Sequence, residues 1–306
     1  MLYLKENKSN HYFFIFSLKL RNYMLSNLKR NLLVAPVVKW VGGKRQIINE
    51  LSQYLPKDGY TKYYEPFLGG AAMLFHLQPQ NAVVNDVNSD LINMYQVIKD
   101  NVEDLIQELE THPNEEQHFY DVRDWDRDKE AYNERTNIQK AARLIFLNKT
   151  CYNGLFRVNN AGEFNTPFGH YVNPGIVNQP VLRAVSNYLN KNKITFLNED
   201  FSSALNNVTK TSFVYFDPPY DPISDSSSFT GYTKGGFGRE QQESLKELCD
   251  KLDKKNVKFM LSNSATAFIR DLYKDYTIHT IQAKRSVNSI ASRRGLVDEV
   301  VVTNYE

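Results

Sequence analysis

The sequence contains few of the patterns by which several protein classes are recognised. It has only two cysteines, Cys151 and Cys249, which lie far apart and form no C-x-x-C pair. This spacing argues against a disulfide framework and against a cysteine-based zinc site, and it fits a reducing cytoplasm. We therefore expect no bound metal and a cytoplasmic protein.

Long apolar runs are also absent. The most hydrophobic segment, residues 12–18, is much shorter than the roughly 20 residues that span a bilayer, and Lys19 and Arg21 follow it closely. No cleavage site of a signal peptide is evident. We therefore expect no membrane association. We interpret residues 1–31 as an N-terminal extension, either loosely attached or translated upstream of a start at Met24.

Two nucleotide-binding signatures are missing as well. The G-x-G-x-x-G of Rossmann dehydrogenases and the G-x-x-x-x-G-K-[ST] of P-loop proteins do not occur. The formal net charge is only +2, so binding to nucleic acid would require a local basic face. What remains is a chain of 306 residues with 42% hydrophobic and 24% charged residues, typical of a globular protein with a sizeable core.

The most informative segment lies around residue 217. The apolar, β-prone run 213–216 stops at Asp217, which Pro218, Pro219 and Tyr220 follow. The prolines fix φ and remove two backbone donors, so the strand must end there. One interpretation is a simple strand-ending turn. The other is a ligand pocket, because open α/β sheets bind ligands at the carboxyl ends of their strands.

Glycine-containing segments precede this strand. K-W-V-G-G-K, residues 39–44, opens a helical pattern over residues 47–55 and is either an ordinary helix entry or an anion site. Residues 63–72 read as strand, glycine turn and helix. A second strand, residues 81–85, ends at Asp86, at about the spacing at which a Rossmann-like fold places a carboxylate on ribose hydroxyls. The alternative role of Asp86 is to cap the helix predicted over 91–98.

The middle of the chain has a different character. Charged helical stretches, over residues 91–109 and 137–147, and a polar loop occupy the region between two α/β segments. We therefore predict a Rossmann-like α/β fold with a mainly helical insert. The predicted organisation is an extension (1–31), a catalytic, cofactor-binding domain (32–88 and 191–306) and an inserted domain (89–190).

Three elements are predicted near the C-terminus. Residues 221–238 are rich in Ser and Gly and read as a mobile lid. The basic loop from Lys284 to Gly295 is either a solvated turn or a phosphate contact. Residues 297–305 alternate in polarity like an edge hairpin.

Together, these motifs resemble those of the Dam-like (DpnII-type, α-group) DNA adenine N6-methyltransferases. The match extends from Val38 to Tyr305, with the cofactor motifs before the insert and D-P-P-Y after it. In chain order the motifs are K-W-x-G-G-K, E-P-F-x-G-G, N-D, Y-N-G-L-x-R, E-F-N-x-P-F-G, D-P-P-Y and S-N-S. The resemblance implies a site-specific, adenine-specific DNA methyltransferase that uses S-adenosylmethionine and carries a DNA target-recognition insert.

The resemblance also implies which residues bind the cofactor. By position in the motifs they are Trp40, Lys44, Phe67, Gly69, Gly70, Asp86, Asp200, Phe201 and Asp217. Asp86 is implied to bind the ribose hydroxyls, and Asp200 and Phe201 to lie at the cofactor adenine. Ala71 stands where the family usually has a third glycine. We expect it to weaken cofactor binding without abolishing it, because alanine suits the first turn of a helix.

The implied catalytic residues are Asp217, Pro218, Pro219 and Tyr220. The N6 amine of adenine is a poor nucleophile because its lone pair is delocalised into the ring. Hydrogen bonds from the amine to Asp217 and to the Pro218 carbonyl would localise that pair and aim it at the methyl group. The base must first leave the duplex, and Tyr220 offers it a stacking face.

The insert is similar to the target-recognition region of the family. The DNA-contacting residues that the resemblance implies are Lys39, which precedes the insert, and Asn153, Leu155, Arg157, Pro167 and Tyr171 within it. Arg157 is expected to read guanine, and its alternatives are a phosphate contact or a pair with Glu163. Members with this insert commonly modify GATC, which is therefore the expected site. His170 stands at a position that is often basic in the family.

Other functions stay open at this stage. The enzyme could modify adenine in another sequence or in RNA, or the chain could be an inactive module that binds DNA and cofactor. The expected partner is double-stranded DNA in the nucleoid, with a cognate restriction endonuclease as a possible functional companion. The protein is expected to act as a monomer.

Overall fold

A mixed β-sheet forms the centre of the molecule. The computed structural model describes residues 30–222, 237–284 and 296–306. Within these ranges the sheet has seven strands: β1 Lys62–Glu65, β2 Asn81–Asn85, β3 Lys193–Leu197, β4 Ser212–Phe216, β5 Lys258–Ser264, β6 Thr277–Lys284 and β7 Leu296–Thr303. The predicted α/β, Rossmann-like fold class is confirmed.

The strand order explains where a ligand site should lie. The order is β3-β2-β1-β4-β5-β7-β6. β3, β2, β1, β4 and β5 pair in parallel, and β7 is antiparallel to both of its neighbours. The chain proceeds outward from β1 to β3 on one side and from β4 to β5 on the other. The order therefore reverses between β1 and β4, and in open sheets such a reversal opens a ligand-binding crevice at the carboxyl ends of the strands.

Helices connect and cover the strands. In the described ranges they are α1 Ile48–Leu51, α2 Ala72–Leu77, α3 Ser89–Asp100, α4 Val102–Glu110, α5 Glu116–Arg123, α6 Lys129–Glu134, α7 Asn137–Thr150, α8 Gln179–Lys191, α9 Arg239–Lys254 and α10 Ala267–Leu272. Helix α7 begins with a capping box, in which the side chains of Thr136 and Gln139 each bond the other residue's backbone N–H. This reciprocal pair satisfies two donors that a helix start leaves free.

Three sequence predictions differ from the structure in detail. The helix expected over 47–55 is instead a series of short turns around α1. The helical stretch expected over 91–109 is broken at Asn101, where α3 ends and α4 begins. β7 pairs antiparallel with the edge strand β6, as the predicted edge hairpin requires, but β7 itself lies inside the sheet, between β5 and β6. Residues 300–303 of β7 are all buried, so both faces of this part of the strand are covered. The alternating polarity of the sequence had predicted one covered face and one exposed face.

The helical insert shares its core with the sheet. One buried cluster contains strand residues such as Tyr63 together with Phe146 of α7 and Leu189 of α8. Helices α3 and α8, at the two ends of the insert, both pack against β3. Because the insert and the sheet share one hydrophobic core, their packing does not define a boundary between two domains. The predicted boundaries at residues 88 and 190 stay predictions.

Several predicted segments lie outside the described residues. They are residues 1–29 of the extension, residues 223–236 of the predicted lid and residues 285–295 of the basic loop. In the described part of the chain, no helix combines the length and apolar character needed to cross a membrane. Nor does that part contain a group of three or more His, Cys, Asp or Glu side chains placed to hold a metal ion.

Candidate active site

An ion pair occupies the crevice between β1 and β4. The Asp217 carboxylate lies directly after β4, and its Oδ1 atom is 2.8 Å from Nζ of Lys44. Lys44 also donates to the Gly42 carbonyl at 2.7 Å. The Lys44 ammonium therefore neutralises a carboxylate, and the interpretation of residues 39–44 as a free anion site is not supported by this geometry.

Further hydrogen bonds hold Asp217 in place. Ser262, which is fully buried on β5, donates from Oγ to Oδ1 of Asp217 at 3.0 Å. The phenolic oxygen of Tyr215 on β4 lies 3.0 Å from Oγ of Ser262. Burial raises the pKa of Asp217 above its usual range, while Lys44 and Ser262 lower it. The Asp217 carboxylate is thus held in a low-dielectric site. Lys44 and Ser262 both bond its Oδ1 atom, so its other oxygen, Oδ2, is bonded by neither of them.

Tyr220 completes this wall of the site. Its ring lies 4.3 Å from the Lys44 ammonium, and its hydroxyl donates to Oε2 of Glu299 at 2.9 Å. The backbone is held on both sides, because Gln242 donates to the Pro219 carbonyl and the N–H of Asp221 donates to a buried asparagine on β5. The orientation of the ring is therefore determined by its surroundings.

The glycine turn after β1 lies against Trp40. A Cβ atom at Gly69 would be 3.0 Å from Cδ1 of Trp40, and one at Gly70 would be 3.1 Å from its Cβ. Gly69 also has a positive φ of 48°, a conformation that favours glycine. Both glycines are therefore needed for the indole to pack this closely.

Ala71 differs from its sequence interpretation. It is the N-cap of α2 rather than a residue of the first helical turn, with φ 56° and ψ 33°. This is the left-handed region, where the alanine methyl causes steric strain that glycine avoids. We expected alanine to suit residue 71 because we placed it in the first helical turn. That reason was wrong, since the left-handed backbone of Ala71 favours glycine.

Asp86 supports the glycine turn. Its Oδ2 accepts from the N–H of Gly69 at 2.8 Å, and its Oδ1 accepts from the N–H of Asn88 at 2.9 Å. The cap of helix α3 is Asn88, which accepts from the N–H of Leu91. The helix-capping alternative for Asp86 is thereby excluded. Each carboxylate oxygen can accept a second hydrogen bond, so the side chain can still bind a ligand hydroxyl.

A third carboxylate is buried beside these two. Glu65 ends β1 and is 2% exposed, and the hydroxyl of Tyr63 donates to it at 2.8 Å. Burial, together with the nearby charges of Asp217 and Asp86, holds the pKa of Glu65 well above its usual range. A raised pKa favours the neutral form of Glu65, so the negative charge of the crevice lies mainly on Asp86 and on Asp217, which Lys44 neutralises.

Aromatic rings form the far side of the crevice. Phe67 stacks on Phe201 with centroids 5.3 Å apart, and Phe237 meets Phe67 edge-on at 5.6 Å. The structure thus brings together two predicted cofactor residues from separate loops. Asp200 is exposed, and its carboxylate accepts from the N–H of Ser202 at 2.9 Å, which stabilises its own turn.

The predicted DNA-contacting residues form a second group. The Lys39 ammonium donates to the Asn153 carbonyl, and the N–H of Asn153 donates to the Tyr171 hydroxyl at 2.9 Å. Trp40 stacks on Phe156 with centroids 4.9 Å apart. The predicted recognition loop and the predicted cofactor segment are therefore in direct contact.

Arg157 lies on the exposed side of this loop. Its Nε atom donates to Oδ1 of Asn165 at 2.8 Å. Glu163, the alternative partner considered for Arg157, instead lies 3.7 Å from Arg127 and accepts from Asn159. The predicted pair of Arg157 with Glu163 was therefore wrong, because Arg157 bonds Asn165 instead. The remaining members of the predicted set, Leu155 and Pro167, are half-buried and exposed, respectively.

Comparison with known proteins gives this site its chemical context. The family model of the D12 class N6 adenine-specific DNA methyltransferases matches residues 40–287. The chain belongs to this family. The methyltransferase is 43% identical over 279 residues to the Type II methyltransferase M1.LlaDCHI of Lactococcus lactis subsp. cremoris, covering 90% of this chain and 98% of the relative.

Two further relatives cover nearly the same length. The Type II methyltransferase M.MjaIII of Methanocaldococcus jannaschii is 41% identical over 291 residues, or 89% of this chain and 99% of the relative. The DNA adenine methylase of Salmonella typhi is 30% identical over 269 residues, or 86% and 93%. The protein is accordingly an adenine-specific DNA methyltransferase, and the family resemblance inferred from the motifs is confirmed.

Sequence reasoning missed several polar residues of the methyltransferase site. Ser262 belongs to the S-N-S motif and Glu65 to the E-P-F motif, but neither was predicted to have a role in the site. Asn85 and Asn148 are also buried, yet neither was assigned a role. The available signal was the position of Glu65, Asn85 and Ser262 in or at the ends of apolar strands, where a polar side chain requires a bonding partner.

Proposed function

We propose that this methyltransferase transfers a methyl group from S-adenosylmethionine to N6 of an adenine flipped out of double-stranded DNA, and that its recognition site is GATC. The observation that supports the reaction most directly is the pairing of Asp217 with Lys44 at the carboxyl end of β4. It leaves a positioned carboxylate oxygen beside an aromatic face, which is what an exocyclic amine on a planar base requires.

The residues of the crevice fit a cationic cofactor. S-adenosylmethionine carries a sulfonium and an ammonium group, and the crevice offers them the carboxylates of Asp86 and of Asp217, the second of which also pairs with Lys44. We propose that Asp86 binds the ribose hydroxyls and that Phe67 and Phe201 hold the adenine ring. When bound, this cofactor would supply an electrophilic methyl group: in one in-line displacement the N–C bond would form as the S–C bond breaks, and S-adenosylhomocysteine would leave.

The protein's own groups then carry out the remaining tasks. Asp217 and the Pro218 carbonyl accept hydrogen bonds from the amine and localise its lone pair. As the new N–C bond forms, the amine must lose a proton, which the Asp217 carboxylate is placed to accept. Tyr220 stacks on the base. A thiol nucleophile is not needed, and burial raises the pKa of Cys151 to about 12, which keeps it unreactive.

Recognition of DNA is proposed for the exposed loop around Arg157. Arg157 is held at its Nε by Asn165, which leaves its terminal nitrogens available for a bidentate contact with guanine. Lys39, Asn153, Leu155, Pro167 and Tyr171 are proposed to contact neighbouring bases or phosphates. The choice of GATC rests on the similarity of this loop to that of the family. Relatives named DNA adenine methylase support adenine as the modified base.

The proposal is tested by methylation of defined duplexes. The purified protein is incubated with methyl-labelled S-adenosylmethionine and duplexes that contain GATC or each of its single-base variants. We expect N6-methyladenine in GATC alone, with roughly 1–3 kcal/mol lost for each altered base pair. Modification of another sequence, or of RNA in preference to DNA, would contradict the recognition site. A lack of any transfer would contradict the reaction.

The cellular setting is also a proposal. Two of the relatives are named Type II methyltransferases, which supports a partnership in function with a restriction endonuclease of the same site. We propose that the enzyme acts as a monomer on the DNA of the nucleoid. Light scattering of the free enzyme and of its DNA complex would measure the oligomeric state.

A further inference from the structure

Two buried asparagines hold the two sides of the site. Asn85 is 1% exposed and Asn148 is 2% exposed. A buried carboxamide is stable only when its donors and its acceptor are bonded. The groups that each asparagine bonds therefore indicate why it is there.

Asn148 bonds the DNA side of the site. Its Oδ1 accepts from the N–H of Lys39 at 2.8 Å. Its Nδ2 donates to the carbonyl of Lys39 at 2.7 Å and to the carbonyl of Gly154 at 3.1 Å. A Cβ at Gly154 would lie 3.0 Å from Cδ of Lys39, so the two segments are already as close as they can be. Asn148 thus joins Lys39 to the turn that precedes Arg157.

Asn85 bonds the cofactor side with the same pattern. Its Oδ1 accepts from the N–H of Glu199 at 2.9 Å. Its Nδ2 donates to the carbonyls of Pro66 and Glu199, both at 3.0 Å. Pro66 precedes Phe67, and Glu199 lies two residues before Phe201. Asn85 thus joins the two loops whose aromatic rings stack.

We propose that Asn148 is a positioning residue for DNA recognition and Asn85 a positioning residue for cofactor binding, each acting on one ligand. The inference rests on the proposed function, because it uses the ligands proposed there. It follows from the bonding pattern, since each carboxamide accepts one N–H and donates to two carbonyls, and the two sets of bonded residues do not overlap.

The test uses near-isosteric variants. Asn148→Asp and Asn85→Asp keep the acceptor Oδ1 and remove both donors, which leaves two carbonyls unpaired in each case. Because a buried carboxylate can destabilise the fold, Asn148→Ser and Asn85→Ser are prepared in parallel. The matched control is Asn304→Asp, at the amino-terminal end of β5 and away from the carboxyl ends of the strands, where Oδ1 accepts from Phe259 and Nδ2 donates to Asp253 and Val257.

Two dissociation constants are measured for each variant, one for S-adenosylhomocysteine and one for a duplex with a single GATC site. For Asn85 variants we expect roughly tenfold or greater weakening of S-adenosylhomocysteine binding, with duplex binding changed by less than about twofold. For Asn148 variants we expect the opposite pattern, together with reduced discrimination between GATC and its single-base variants. Asn304→Asp should change stability alone.

The outcomes separate the inference from the proposed function. Equal weakening of both ligands by either asparagine variant would overturn the inference. So would an effect on stability alone, as expected for Asn304→Asp, or failure of both the Asp and Ser forms to fold. If the unaltered protein binds neither probe, the proposed function has failed instead.

Discussion

The ammonium of Lys44 and the carboxylate of Asp217 form an ion pair with 2.8 Å between Nζ and Oδ1, in which the two side chains are 5% and 20% exposed. The pair joins the segment 39–44 to the end of β4. The pair of Lys258 with Asp58 is slightly shorter, at 2.6 Å, but its side chains are 33% and 81% exposed. Charges interact more strongly where water is excluded, and an unpaired charge there is more costly.

We expect Lys44→Met to destabilise the protein far more than Lys258→Met. Removing one partner of a buried pair costs about 3–5 kcal/mol, whereas an exposed pair contributes about 0–1 kcal/mol. The free energy of unfolding of the three proteins in urea measures the difference. Equal losses in the two variants would show that Asp217 does not depend on Lys44 for its charge.

The cost of Lys44→Met should also depend on pH. Burial already raises the pKa of Asp217, and Lys44 opposes this rise, so the variant has a still higher pKa in the folded state. An acid with a higher pKa when folded binds its proton more readily when folded, and stability then increases as the pH falls. The loss should therefore be smaller at about pH 5 than at about pH 7.5. A loss independent of pH would contradict this account.

Asp217→Ala should abolish methyl transfer and leave DNA binding largely intact. The carboxylate is proposed to contact the acceptor amine and the cofactor, but not the DNA backbone. Single-turnover transfer and duplex affinity are measured on the same preparation, with Asp58→Ala as the exposed control. More than a small residual rate of transfer would refute the role of Asp217.

Arg157→Ala should lose discrimination at one base pair. If the guanidinium reads guanine, the loss is roughly 1–3 kcal/mol at that position and little elsewhere. If it contacts phosphate, all sequences are bound more weakly and the slope of log affinity against log salt falls by about 1. The measurement is kcat/KM on GATC and its variants at two salt concentrations.

A control and a structural alternative accompany the Arg157 variant. Arg183→Ala removes another exposed arginine, one that pairs with Glu103 at 2.7 Å, and it should change neither specificity nor salt dependence. If Arg157 served only to hold Asn165, the variant would lose stability without any base-specific change. A uniform loss across the duplex variants would count decisively against base reading.

Ala71→Gly should be much less destabilising than Ala142→Gly. Both alanines are fully buried, but Ala142 lies inside α7, where glycine costs about 1 kcal/mol relative to alanine. Ala71 has a left-handed backbone with φ 56°, which costs an alanine about 1–2 kcal/mol. We therefore expect the two substitutions to differ by about 1–2 kcal/mol in urea unfolding. Equal costs would show that the left-handed backbone is not strained.

Acid should destabilise the insert through His112. This imidazole lies 2.9 Å from His118 and stacks on Phe146, and burial followed by the His118 charge lowers its pKa from 6.5 to about 4. A base with a lower pKa in the folded state binds protons more readily when unfolded, so stability falls as the pH decreases from 6.5 to about 4. The maximum loss from this group is about 3 kcal/mol.

The His112→Gln variant tests this assignment. It removes the titrating group, so its stability should be lower at neutral pH but should change less between pH 6.5 and about 4. Urea unfolding at a series of pH values gives both curves. If the wild-type and variant curves run parallel over that range, another group causes the acid sensitivity.

Local patterns in the sequence predicted the α/β class, the strand that ends at Asp217 and the glycine turn after the first strand. An apolar run that ends at Asp217 and two prolines can only be a strand end, and the glycines at 69 and 70 require a turn of close backbone approach. The motif order also identified the family. The strand end and the glycine turn are local in the chain, so local rules of backbone geometry were sufficient to predict them.

The tertiary structure alone decided which distant residues meet. It placed β7 between β5 and β6, paired Lys44 with Asp217, and gave Ala71 a left-handed backbone. It also used Asn85 and Asn148 to join segments far apart in the chain. Side-chain partners of this kind depend on packing between elements that are remote in sequence, and neither periodicity nor motif spacing contains that information.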